Sequence, residues 1–117
     1  MPSAYEVFIT ALSDADERLR ELAAYGLAFV DHPDAFAELC RQAASSAPRV
    51  RAAAMRGLGQ CSVPGAAAVL LAGLSDPDPW VRYFACQALG KLRWEAAVEA
   101  VAARLRDDAG QVRIAAL

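Results

Sequence analysis

Apolar residues recur along this chain at helical spacing. At positions 19, 22, 23, 26, 27 and 30 they follow the i, i+3, i+4, i+7 pattern. After a break at Asp31–Asp34 the pattern resumes with Phe36, Leu39, Cys40 and Ala43. No run alternates with period two, so the pattern predicts helices and no strands. The start signals agree. Asp16 and Asp78 stand where an N-cap belongs, and Pro48 and Pro79 fall at a first helical position, as Pro33 and Pro64 do for the following helix. Gly59 and Gly90, near helix ends, permit a turn. The predicted elements are a first helix at 17–29, 48–60 and 79–91 and a second helix at 33–44, 64–74 and 94–106. A leading second helix is expected over about 3–13 and a final first helix from about 110.

These helices repeat. Arg20, Arg51, Arg82 and Arg113 are spaced 31 residues apart, each preceded by an aliphatic residue and followed three positions later by Ala. Leu27, Leu58 and Leu89 keep the same step, as do Phe36, Ala67 and Val98, and Leu39, Leu70 and Val101. A fixed short period means stacked supersecondary units, each burying its apolar face against the next. The chain divides into a partial repeat at 1–13, full repeats at 14–44, 45–75 and 76–106, and a truncated repeat at 107–117.

The segment DPDPWVRYFACQALGKLRWEAAVEAVAARL is similar to a short HEAT-like repeat, of the type named after the phycobilin lyases. That type reads as Asp, a Val-Arg pair, Ala, Leu-Gly, then a second amphipathic helix. The resemblance extends over essentially the whole chain. It implies an all-α, right-handed solenoid of two-helix repeats, with the second helices lining the concave side. It is specific for fold and unspecific for function.

Composition adds two constraints. Alanine supplies 28 of the 117 residues and aromatics only 8%, so the core suits helices packed at close range. The formal net charge is −2, with no block of one sign, and nothing in it attracts nucleic acid or an acidic membrane. The three cysteines, Cys40, Cys61 and Cys86, form no CxxC pair. That spacing speaks against a disulfide framework and a zinc knuckle and suits a cytoplasmic protein. The N-terminal residues have neither a basic stretch nor an apolar stretch of a leader, and no run is long and apolar enough for a membrane helix.

The candidate chemistry is sparse. The Arg column could clamp anions, but Asp14, Ser45, Asp76 and Asp107 precede the four arginines by six residues. That register reads as a structural ladder of Arg20, Arg51, Arg82 and Arg113 with Asp14, Asp76 and Asp107, serving hydrogen bonds within or between repeats. His32, the only histidine, reads as a residue of a surface turn without the partners of a catalytic or metal site. Cys40 and Cys61 occupy core columns and read as buried, with Cys86 between the buried and exposed faces. Trp80, Tyr83 and Trp94 break their columns, as contact anchors do and as covers between repeats do.

The second helices carry the functional expectation. If Phe36, Leu39, Cys40 and Ala43 face inward, Asp34, Glu38 and Arg41 point outward, and the equivalent columns hold Val69, Ala72, Ala100 and Ala103. A smooth strip bordered by charge suits a helix or extended segment of another protein. The expected partner-binding residues are Glu38, Arg41, Val69, Ala72, Ala100, Ala103 and Trp94, in a non-catalytic scaffold without cofactor, metal, nucleic acid or membrane. The alternative is a chromophore-handling role like that of the bilin lyases. A lone second helix at one end and a lone first helix at the other also predict a fragment of a longer array, or end-to-end self-association.

Overall fold

The computed structural model describes residues 1–61, 63, 65–92 and 97–117. Among these residues eight α-helices follow one another: α1 (Ala4–Ala11), α2 (Glu17–Gly26), α3 (Ala35–Gln42), α4 (Pro48–Leu58), α5 (Ala66–Gly73), α6 (Pro79–Leu92), α7 (Val98–Ala103) and α8 (Gly110–Ala116). Among the described residues there is no strand. Among the described residues, two helices end in a tightened 3-10 turn, at Leu27–Phe29 and Arg104–Arg106.

Local chemistry sets the helix starts. The Ser3 hydroxyl accepts from the Glu6 N–H, and the Asp16 carboxylate accepts from the Arg18 N–H. Asp78 accepts from both Trp80 and Val81, and Pro79 then opens α6 with a ring that has no N–H to leave unpaired. Pro48 opens α4 in the same way. Pro33 does not open a helix. It lies in the turn before Asp34, and α3 begins at Ala35. Pro64 lies outside the described residues.

The first helices α2, α4, α6 and α8 pack on one another in succession as one continuous layer. The second helices seat on this layer, α1 on α2, α3 on α4 and α5 on α6, and among the described residues they make only marginal contact with each other. The result is an elongated slab of 47 × 27 × 17 Å. Its core is built from repeat columns. Leu27, Leu58 and Leu89 are buried, as are Leu39 and Leu70, and so are Val50, Val81 and Val112. The Leu19 side of the first column is different: Leu19 and Leu22 of the predicted apolar stripe are exposed, because only α4 packs beside α2 in its layer.

Glycine acts in the packing rather than in turns. Gly59 has right-handed helical φ and ψ, and a Cβ there would come within 2.9 Å of the Ala88 Cβ, so its role is the close approach of α4 to α6. A Cβ on Gly73 would meet the Met55 sulfur at 2.9 Å, which lets α5 lie down on α4. Gly90 lies inside α6, and neither a turn nor a close contact requires it.

Candidate functional site

Each repeat junction holds the same hydrogen-bonded unit. The Nη1 atoms of Arg20, Arg51, Arg82 and Arg113 donate to the carbonyl oxygens of Asp14, Ser45, Asp76 and Asp107 at 2.7, 3.0, 2.8 and 2.7 Å. The side-chain oxygen of each of those four residues accepts the backbone N–H two positions on, which folds the turn before the first helix. Where the next junction carries a carboxylate, the arginine also forks across to it. Arg51 donates to Asp76 through Nε and Nη2 at 2.9 and 3.0 Å, and Arg82 donates to Asp107 at the same two distances. Arg82 Nη2 reaches Asp108 as well. Arg20 has Ser45 in the matching place and makes no such fork.

The electrostatics follow from this geometry. Burial alone would push the Asp107 carboxyl up. The Arg82 hydrogen bonds and the Ala109 N–H outweigh it and hold the group down at about 2. The same bond to Asp107 raises the Arg82 guanidinium, against its own burial. Arg51 and Arg82 thus spend their donors inside the fold, between repeats.

The cysteines are placed differently from the sequence expectation. Cys86 is the buried one, on the core face of α6, whereas Cys40 and Cys61 are half-buried. Burial pushes all three thiols up, Cys86 to about 11 with Arg104 and Asp107 nearby, so thiolate is scarce at neutral pH. His32 is half-buried and stacks face to face on Tyr5 at 3.7 Å, while its Nδ1 accepts the Asp34 N–H. Among the described residues no group of His, Cys, Asp and Glu could hold a metal ion.

One concave feature on the second-helix side is an apolar groove of about 400 Å³ between α3 and α5. Cys40, Ala43 and Ala44 form one wall, Ala68, Val69, Ala72 and Gly73 the other, with Met55 of α4 below and Asp76 at the end. It exists because α3 and α5 are each held by the first-helix layer and not by one another. Small side chains on both walls leave the gap unfilled.

Of the expected partner-binding residues, Val69 and Ala72 line this groove. Ala100 is half-buried and Ala103 exposed on α7, and neither lines it. Glu38 and Arg41 pair with each other on α3, and the Glu38 side chain is only 14% exposed, so it does not point freely outward as expected. Trp94 lies outside the described residues. Cys40, Ala43 and Ala44 were not among the expected residues. Cys40 and Ala43 belong to the face expected to point inward, and in the structure they and Ala44 lie along the gap beside α5.

Stacked two-helix units, one continuous layer and repeating junctions define the class: an all-helical solenoid. Residues 38–117 match the family of HEAT repeats, and the chain belongs to that family. No curated protein matches it in sequence. Among solved structures it is similar to a chain of the complex of CpcE and CpcF of phycocyanin lyase from Nostoc sp. PCC7120. The TM-score is 0.71 at 19% identity, over 99% of this chain and 63% of that one. It is also similar to an engineered protein, with a TM-score of 0.66 at 20% identity, over 98% of this chain and 60% of the other. The chain therefore spans 63% and 60% of the length of the solved chains it resembles, and the likeness shows the fold. Among the described residues no helix is long and apolar enough to cross a membrane.

Proposed function

We propose that this protein is a non-catalytic scaffold that holds a segment of another protein on its second-helix face, across Val69 and Ala72 and onward toward Ala100 and Ala103. The observation that carries this reading is the groove between α3 and α5, whose walls are alanine, valine and cysteine and whose volume of about 400 Å³ accommodates a few partner side chains. Neither nucleic acid nor a membrane fits an apolar groove on a chain of net charge −2.

Ala68 and Ala72 are both exposed, so Ala68→Glu with Ala72→Glu leaves the core intact. The double variant is expected to weaken partner binding at least about tenfold, because two carboxylates must be desolvated against an apolar surface. Far-UV circular dichroism should stay unchanged. Partner recovery at the wild-type level, with the fold intact, contradicts the groove.

A second reading has its own observation. Tyr5, Phe8, Phe29 and Val30 line an open pocket of about 500 Å³ that also has Asp31 and His32 on its wall. Aromatic sides with two polar groups suit a flat conjugated ligand, and the similar solved structure is of a phycocyanin lyase complex. A shift in the absorbance of a linear tetrapyrrole on addition of the protein favours this reading, and an unchanged spectrum removes it.

A further inference from the structure

The first-helix layer carries a feature that the groove does not use. In the column Leu22, Ala53 and Phe84 the middle repeat has the small residue, and so it does in the column Glu21, Ala52 and Tyr83. The two alanines leave a notch of about 90 Å³ in the outer face of α4, walled by Leu22 and Tyr25 from α2 and by Phe84 from α6. That volume is about one aliphatic side chain. The Leu22 wall stays open to solvent, 65% exposed.

One cation stands over this notch. The Arg56 guanidinium lies 4.4 Å from the Tyr25 ring centroid and 5.9 Å from that of Phe84, which holds its charge beside the notch. Among the described residues it forms no ion pair and donates no hydrogen bond. The carboxylate on the other rim, Glu21, is already paired with Arg49 at 3.0 Å. The rings behind Phe84 are braced in edge-to-face contacts, Trp80 on Tyr83 at 5.3 Å and Tyr83 on Phe84 at 4.9 Å. A preformed hole for one apolar side chain thus lies beside an unspent planar cation.

We propose that this notch is a second docking site, on the layer opposite the groove, for an acidic-aliphatic segment of a partner protein. The segment inserts one Leu, Ile or Phe between Leu22 and Phe84 and places an Asp or Glu carboxylate on Arg56. Charge complementarity selects this occupant. A basic segment would meet Arg56 and Arg49, and a purely apolar one would bury the guanidinium without an acceptor. Binding here is independent of the α3–α5 groove, so the scaffold joins two partners, or two parts of one.

The test is selection of a phage-displayed random dodecapeptide library on the full chain, followed by titration of the enriched peptide made synthetically. The enriched sequences are expected to place Asp or Glu within one helical turn of Leu, Ile or Phe. Arg56→Glu and Ala53→Leu should each weaken the synthetic peptide at least tenfold. Ala53→Leu follows what the neighbouring repeats already carry in that column, and Arg56 is exposed, so both variants are expected to keep their helical spectrum. Should either fold poorly, Arg56→Lys removes the planar fork at constant charge and is expected to weaken binding several-fold. The groove variant Ala68→Glu/Ala72→Glu should bind the peptide as the wild type does. Enrichment of peptides without an acidic residue, no enrichment at all, binding that survives both substitutions, or binding lost in the groove variant would each overturn the proposal.

Discussion

Asp107→Ala is expected to lower the unfolding free energy by up to about 3–5 kcal/mol, and Arg82→Ala by a similar amount, because each removes the two-bond fork from a buried charged partner and leaves it only lesser contacts, Asp108 for Arg82 and Arg104 for Asp107. Both groups are buried and share two hydrogen bonds of 2.9 and 3.0 Å across a repeat junction. Arg20→Ala provides the contrast. Its guanidinium reaches only the carbonyls of Asp14 and Ala15, and its loss should cost about 1 kcal/mol. Urea titrations of the three variants measure this order directly, and equal costs at Arg20 and Arg82 would contradict the ladder. The same pair sets an acid limit. An ordinary Asp titrates near about 3.9, whereas Asp107 is held at about 2 in the folded chain. A carboxyl depressed by folding stabilises fully above its unfolded value. That contribution is lost as pH falls from about 4 through about 2. The wild type should therefore lose stability over that interval, and Asp107→Asn should lose less of it there.

Leu58→Ala and Leu89→Ala are each expected to cost about 2–5 kcal/mol, from lost burial and from the cavity left between two layers. Both leucines are buried in one cluster with Leu39, Leu70 and Val81. A domain of this kind has about 5–15 kcal/mol in all, so either change shifts the denaturation midpoint strongly. Leu22→Ala, at a position 65% exposed, should be nearly neutral. Melting curves that rank Leu22 with Leu58 would mean that the columns do not define the core.

The 31-residue step made the fold legible. Residues in one column share one environment, so Leu27, Leu58 and Leu89 announce a common layer before any packing is known. The junction chemistry was legible in part. Arginines and aspartates in register imply hydrogen bonds, but not that a single guanidinium serves a carbonyl of its own repeat and a carboxylate 25 residues on. The column logic weakens where neighbours differ. Leu19 and Leu22 fit the apolar pattern and are exposed, since burial is a property of what packs alongside. Cys86, in contrast, follows its column, since Ala24 and Met55 are buried as it is.

The groove was hidden for a related reason. Helical periodicity says which side chains share a face but not how far apart two helices sit. That distance is set by contacts such as Gly73 on Met55, which hold α5 to the first-helix layer and away from α3. Val69 and Ala72 could be read as a smooth strip, whereas Cys40 and Ala43 fall in the inward columns and only the gap beside α5 makes them, with Ala44, a groove wall. The notch over Ala52 and Ala53 is likewise written in the columns as small residues between large ones. Its cation is not, because Arg56 meets Tyr25 and Phe84 only once three repeats are stacked.

The groove reading is tested most directly by site-specific photo-crosslinking. A photoreactive phenylalanine analogue is placed in turn at Ala68, Ala72 and Ala44 on the groove walls, and at Glu17 on α2 as a remote control. Crosslinked partner peptides are then sequenced by mass spectrometry. The account predicts that the three groove positions capture overlapping stretches of one partner segment and that Glu17 captures none of it. Adducts at Glu17 as abundant as those at the groove, or three unrelated sets of peptides from the three walls, would contradict it.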